Sequence, residues 1–330
     1  MTGRPALPAA TAPGRRLAAA LLLGIGVLFA LPALAGATGL TERAATARVA
    51  ADSGESLSTG DAIILGAVEG ITEYLPVSST GHLLITERLL DIGTGADKDA
   101  TDTYTVVIQV GAIIAVLGIF WKRFLSMASG VVGRDEDGRR TLISLLVAFV
   151  PAGVIGKVFG DAVKEHLLSP TPIAITWIVG GIVILVFVSQ QSRLVARIDS
   201  VAGIGARNAA IIGVAQTLAL IPGTSRSFVT ILAAMLLGCS LATAVEFSFL
   251  LGFVTLSAAT VFELLQNGDT LVDTFGIASP LIGIVVAGIT AFLSVKFMID
   301  WLNKRGLAVF GWYRIAVGVA AIALIAGNRI

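Results

Sequence analysis

The sequence predicts an all-α polytopic membrane protein. Two inverted-topology repeats, each a broken re-entrant helix hairpin plus three transmembrane helices, follow an N-terminal hydrophobic segment. Three observations lead there: an apolar composition, an uneven distribution of Lys and Arg among the loops, and two apolar segments interrupted at proline. Of 330 residues, 55% are hydrophobic and 14% charged, against about 25% charged in soluble domains. The mean hydropathy is +0.90. A net charge of +1 gives no reason to expect a nucleic acid partner. Cys239 is the single cysteine, so it forms no intrachain disulfide and is expected to pack as a small apolar side chain.

Taken in order, residues 1–57 form an extension. Arg15 and Arg16 precede an apolar run at 17–34. That run reads either as a signal peptide, with Ala33-Leu34-Ala35 as a cleavage site, or as a retained anchor; in both readings the Arg pair stays cytoplasmic and 38–59 is exported. The membrane domain is 58–330, with repeat 1 at about 58–190 and repeat 2 at about 205–330. Residues 61–90 form an apolar segment broken at Pro76, and 91–103 a polar loop. Spans follow at 104–121, 141–160 and 172–189. The second interrupted segment is 209–238, broken at Pro222-Gly223, with further spans at 242–265, 280–299 and 310–326.

The loops 122–140, 190–208 and 301–307 hold ten Lys and Arg, whereas 161–171 and 266–279 hold one. Basic loops stay cytoplasmic. Counting crossings from that rule makes 61–90 enter and leave on the outer face and 209–238 on the inner face. Leu75-Pro76-Val77-Ser78-Ser79 is echoed by Ile221-Pro222-Gly223-Thr224-Ser225. Broken helices from inverted repeats meet near the bilayer midplane and build binding sites there.

Both breaks carry chemistry. Glu69 and Glu73, spaced i, i+4, share one helix face. Pro76 must end that helix, and Ser78, Ser79 and Thr80 offer hydroxyls to a helix starting near Gly81. Two carboxylates suit a divalent cation or a shared proton. His82 is a candidate general acid/base, and Ser79 or Ser78 a candidate nucleophile. In the second break, Gly223, Thr224, Ser225, Arg226 and Ser227 open a half-helix whose free N–H groups suit phosphate, with Thr230 on the face of Arg226. An anionic phosphate beside Glu69 and Glu73 needs positive charge, which Arg226 and a cation such as Mg²⁺ or Ca²⁺ would supply. His166, in a polar loop, reads as a solvated surface residue.

At these residues the chain resembles the undecaprenyl-diphosphate phosphatase (bacitracin-resistance) family, over about residues 58–327. The carriers are Glu69 with Glu73, LPVSSTGH at 75–82, PGTSRS at 222–227 with Thr230, VVIQVGAIIAV at 106–116 and EFSFLL at 246–251. Phe228 and Val254 depart from the family, which usually has Gly and Pro there, and Phe228 is expected to narrow the site or touch a prenyl chain. The resemblance implies removal of the terminal phosphate of a C55 isoprenoid diphosphate left by cell-wall polymerisation. The reaction would run at the outer face of the plasma membrane with a divalent cation, carried by Glu73, Ser79, His82 and Arg226. Partners are then the polyprenyl diphosphate and membrane lipid, with a homodimer left open. The rival reading is a polyprenyl-phosphate flippase, which needs the anion site but no nucleophile.

The charge asymmetry predicts that 91–103 and 266–279 are exported and that 122–140 and 190–208 are cytoplasmic. In intact cells, a membrane-impermeant maleimide should label single cysteines placed at 91–97 and leave those at 130–137 unlabelled.

Overall fold

The computed structural model describes residues 57–93 and 95–330. Residues 1–56 of the extension therefore lie outside the described residues, including the run at 17–34. Among the described residues there are eleven α-helices and no strands; a lone parallel bridge joins Ile198 to Cys239. They are α1 Thr59–Thr72, α2 Ser79–Leu89, α3 Lys98–Ile119, α4 Trp121–Val131, α5 Glu136–Leu167, α6 Pro170–Gln190, α7 Ala206–Gln216, α8 Arg226–Leu236, α9 Leu241–Phe275, α10 Ala278–Arg305 and α11 Ala308–Ala326. Six of them, α3, α5, α6, α9, α10 and α11, contain stretches long and apolar enough to cross a membrane. The protein is thus a multi-pass membrane protein.

Several helices run past the boundaries expected from hydropathy. The stretch 122–140 is largely helical: α4 buries Phe124, Met127 and Ala128 and exposes Lys122 and Arg123. Its apolar positions follow the i, i+3, i+4 pattern of an amphipathic helix, a period hidden by the basic residues when these are only counted. α3 begins at Lys98, inside the expected 91–103 loop, with Lys98 and Asp102 paired one turn apart at 3.0 Å. α5 begins at Glu136 because Asp135 caps it. The Asp135 carboxylate accepts from the Gly138 N–H (2.9 Å) and then from Ser126 Oγ (2.7 Å), bonds that hold its carboxyl below the usual range. α9 continues through the expected 266–279 loop as far as Phe275. Hydropathy marks where lipid ends, whereas helical hydrogen bonding continues into water.

The outward faces are apolar. On α5, Ile143, Leu146, Val150, Val154 and Val158 form an exposed stripe at three- and four-residue spacing, the surface lipid requires. Inside, α1 and α3 pack on α10, α3 on α9, α7 on α5, and α6 on α11. Glycines let these backbones touch. A Cβ on Gly111 of α3 would stand 2.1 Å from the Ile284 carbonyl oxygen and 2.5 Å from the Gly288 nitrogen of α10. With no hydrophobic drive between helices in lipid, such close backbone packing is a main source of association. Cys239 is buried in the main core, as expected.

This gives a stability test. Gly111→Val should destabilise the protein by at least about 1–3 kcal/mol through overpacking. Gly118→Ala, at a position with nothing within 4 Å, should leave the thermal unfolding midpoint in detergent unchanged.

Candidate active site

The site forms where the two interrupted segments meet. α1 ends at Thr72, and Glu73 still bonds back to Glu69 through its N–H (2.9 Å). The chain then loops through Pro76 and re-enters a helix at Ser79, two residues before the expected start. Ser78, the residue before α2, has φ 72° and makes no side-chain cap bond. The second break repeats this backbone: Ser225, before α8, has φ 73°, after Gly223 at φ 85°. A non-glycine residue in such a conformation costs on the order of 1–3 kcal/mol, and such residues cluster at functional sites.

Each break frees carbonyl oxygens in a buried stretch of chain, so each needs a donor. The Leu75 carbonyl accepts from Ser227 Oγ (2.9 Å) and Ser225 Oγ (3.4 Å), which ties the two breaks together. The Val77 carbonyl accepts from Trp177 Nε1 (2.9 Å), and that of Pro222 from Thr176 Oγ1 (2.9 Å). The Ser78 carbonyl takes His82 Nδ1 (2.7 Å). Those of Pro76, Gly223 and Thr224 all turn to Arg314.

Glu73 is the hub. One carboxylate oxygen accepts from Arg226 Nη2 (3.2 Å), and the other accepts from Ser79 Oγ. Arg226 also donates Nη1 to the Ser248 carbonyl (3.0 Å), with its guanidinium carbon 5.5 Å from the Tyr74 ring centre. Gly252 makes that position available, since a Cβ there would lie 2.3 Å from Nη1. Glu69 is fully buried with Glu73 and Arg226 as its charged neighbours, and beyond the Glu73 carboxyl no hydrogen-bonding group among the described residues reaches its oxygens. A hard divalent cation takes oxygen ligands, and Mg²⁺ is held by one or two carboxylates plus phosphate oxygens and water. Glu69 and Glu73 present carboxylate oxygens of that kind side by side.

Glu73, Ser79 and Arg226 are therefore in direct contact, with Glu69 adjacent. His82 is not hydrogen-bonded to Ser79. A carbonyl can only accept, so Nδ1 carries the proton toward Ser78. Nε2 then accepts from the Tyr313 hydroxyl (2.8 Å), with the two rings stacked at 12°. Ser225 and Ser227 spend their hydroxyls on Leu75, and Thr230 bonds Ser248 Oγ (2.7 Å) behind Arg226. Thr80 is exposed and Thr224 half-buried at the break. Phe228 is buried, with the Arg314 guanidinium 5.0 Å from its ring centre. His166 is exposed, as expected, but on the last turn of α5 and not in a loop.

Arg314, Tyr313, Trp177 and Gly252 lie outside the motifs that the sequence offers, and Ser248 inside one of them, EFSFLL, with no role attached. Arg314 did carry a signal. An ionisable residue inside an apolar run of membrane-spanning length is a site candidate on that ground alone.

Fold and site define a multi-pass membrane protein built around two interrupted helical segments and a buried carboxylate–arginine–hydroxyl cluster. The chain belongs to the bacitracin resistance protein BacA family, which matches residues 62–320. It is 43% identical over 269 residues to an undecaprenyl-diphosphatase of Sorangium cellulosum, covering 80% of this chain and 85% of that protein. It is 43% identical over 263 residues to undecaprenyl-diphosphatase 2 of Rhodospirillum rubrum, covering 79% and 93%. With the undecaprenyl-diphosphatase of Nitrobacter hamburgensis it shares 41% identity over 269 residues, covering 81% and 97%.

The buried pair sets a prediction. Arg226→Met leaves Glu73 without its counter-charge, and breaking a buried pair costs about 3–5 kcal/mol. The thermal unfolding midpoint should fall in the single variant and recover most of its value when Glu73→Gln is added.

Proposed function

We propose that this protein hydrolyses undecaprenyl diphosphate to the monophosphate and inorganic phosphate, recycling a lipid carrier of cell-wall synthesis. The observation that carries this reading is the contact of Ser79 Oγ with a Glu73 carboxylate that also holds Arg226. A nucleophile, a base and a phosphate-binding fork share one buried point. A flippase would need the fork but not a hydroxyl bonded to a carboxylate.

The starts of α2 and α8, each with unsatisfied N–H groups, and the Arg226 guanidinium would receive the diphosphate. As Ser79 Oγ bonds to the terminal phosphorus, its proton passes to Glu73, and the bond from that phosphorus to the bridging oxygen breaks. Prenyl monophosphate leaves, and water then releases the phosphate from Ser79. Charge stabilisation by Arg226 and the helix starts is the main demand in such a transfer. Glu69 and Glu73 would hold a divalent cation, which neutralises charge on the phosphate oxygens. His82, its tautomer set by Ser78 and Tyr313, carries no proton at Nε2 and would serve as base toward the water that releases the phosphate.

The protein would sit in the plasma membrane with this site reached from the outer face, and 58–330 would form one phosphatase domain of two inverted repeats with re-entrant hairpins. Helix partners that exchange between halves support that arrangement: α1 packs on α10 as α7 packs on α5, while α3 pairs with α9 and α6 with α11.

The test is phosphate release by the purified protein from a prenyl diphosphate, with and without chelator. Wild type should release phosphate, and chelator should suppress it. Arg226→Lys keeps the charge but loses the planar fork; its rate at saturating substrate should fall on the order of 10²–10³-fold. Retention of more than about a third of the rate would remove Arg226 from the chemistry.

A further inference from the structure

Arg314, on α11, is fully buried and belongs to none of the motifs at the breaks. Its Nη1 donates to the carbonyls of Pro76 (3.3 Å) and Thr224 (3.1 Å). Its Nη2 donates to those of Thr176 and Gly223, both at 2.9 Å. Pro76 lies in the first break and Gly223 and Thr224 in the second, so one planar group joins the two breaks to α6. Space is reserved for it: a Cβ on Gly180 of α6 would stand 2.3 Å from Nη2.

In a planar trans peptide the C=O and the following N–H point in opposite directions. The Thr224 carbonyl faces Arg314, so the Ser225 N–H faces away from it. The Val77 carbonyl likewise faces its donor, Trp177 Nε1, so the Ser78 N–H points away from Trp177. Side-chain donors thus occupy the carbonyls, leaving amide donors at the helix starts for an anion.

We infer that Arg314 is a positioning residue: by gathering carbonyls from both breaks it fixes the starts of α2 and α8 as one cradle, and so sets where Ser79 and Arg226 stand relative to a bound diphosphate. This rests on the phosphatase reading. Lys has three donors around a point charge and cannot hold four carbonyls in one plane.

The experiment uses the full chain in lipid nanodiscs, as wild type, Arg314→Lys, Gly180→Ala, Arg226→Lys and the Arg314→Lys/Arg226→Lys double variant. The readouts are thermal midpoint, kcat and KM for phosphate release from farnesyl diphosphate, and affinity for inorganic pyrophosphate. Arg314→Lys should lose on the order of 10²-fold in kcat, the effect of a small misplacement, with its midpoint within about 5 °C of wild type. In the Arg226→Lys background the same change should cost less than about 3-fold, because no placed fork remains to be displaced. Gly180→Ala pushes on Nη2 while keeping the charge; it should reproduce the kcat loss, and it carries the test if Arg314→Lys does not fold. Wild-type kcat in either folded variant overturns the inference. So do losses that multiply in the double variant, the mark of a merely structural residue. If wild type releases no phosphate, the phosphatase reading fails by itself. The cradle is then judged on pyrophosphate affinity, which must fall about 10-fold in Arg314→Lys, and unchanged affinity overturns it.

Discussion

A peptide carbonyl opened inside a membrane has no water to turn to, and that constraint shapes the centre of this protein. Two helical segments stop midway, and every carbonyl they release from Leu75 to Ser78 and from Pro222 to Thr224 is met by a side chain or backbone donor. The donors come from α2, α6, α8 and α11. The interruption is therefore a joint assembled from distant parts of the chain, and its strained serines hold because those parts over-determine their conformation.

The same joint concentrates charge. Arg226 and Glu73 bury each other, and each gains neighbours suited to its own chemistry: Tyr74 and the Ser248 carbonyl for the arginine, the Ser79 hydroxyl for the carboxylate. A buried ion pair contributes little net stability on its own. Its place beside a fully buried Glu69 whose oxygens meet no hydrogen-bonding group but the Glu73 carboxyl among the described residues is better explained by chemistry than by folding.

Much of this was legible in the sequence. Pro76 and Pro222 marked both breaks, and the i, i+4 spacing placed Glu69 and Glu73 on one face because helical geometry acts locally. The resemblance rested on residues 75–82 and 222–227, and family membership follows from the match over 62–320. Helix ends were misjudged at 98, 136 and 275, where capping by Asp135 and polar turns outside lipid prolong the helix beyond the apolar run. Spatial pairing was out of reach: nothing in one dimension says that Ser79 meets Glu73 instead of His82, that Tyr313 lies on His82, or that Arg314 faces carbonyls 90 and 238 residues earlier in the chain. The neighbour of Phe228 was hidden for that reason, since the cation beneath its ring comes from the last helix.

The half-helix α8 has 11 residues, a length of about 16 Å at 1.5 Å per residue. That is about half of a hydrocarbon core roughly 30 Å thick. If α8 is re-entrant, as proposed, a head group that meets Arg226 at its start would leave the level of its neighbours and sink toward the middle of the bilayer, drawing its chain along. The work of that descent is set by the membrane as much as by the protein. A thinner or more loosely packed leaflet shortens the path, and a thick, tightly packed one lengthens it. The lipid around the molecule thereby becomes a control on its turnover, with no effector site required.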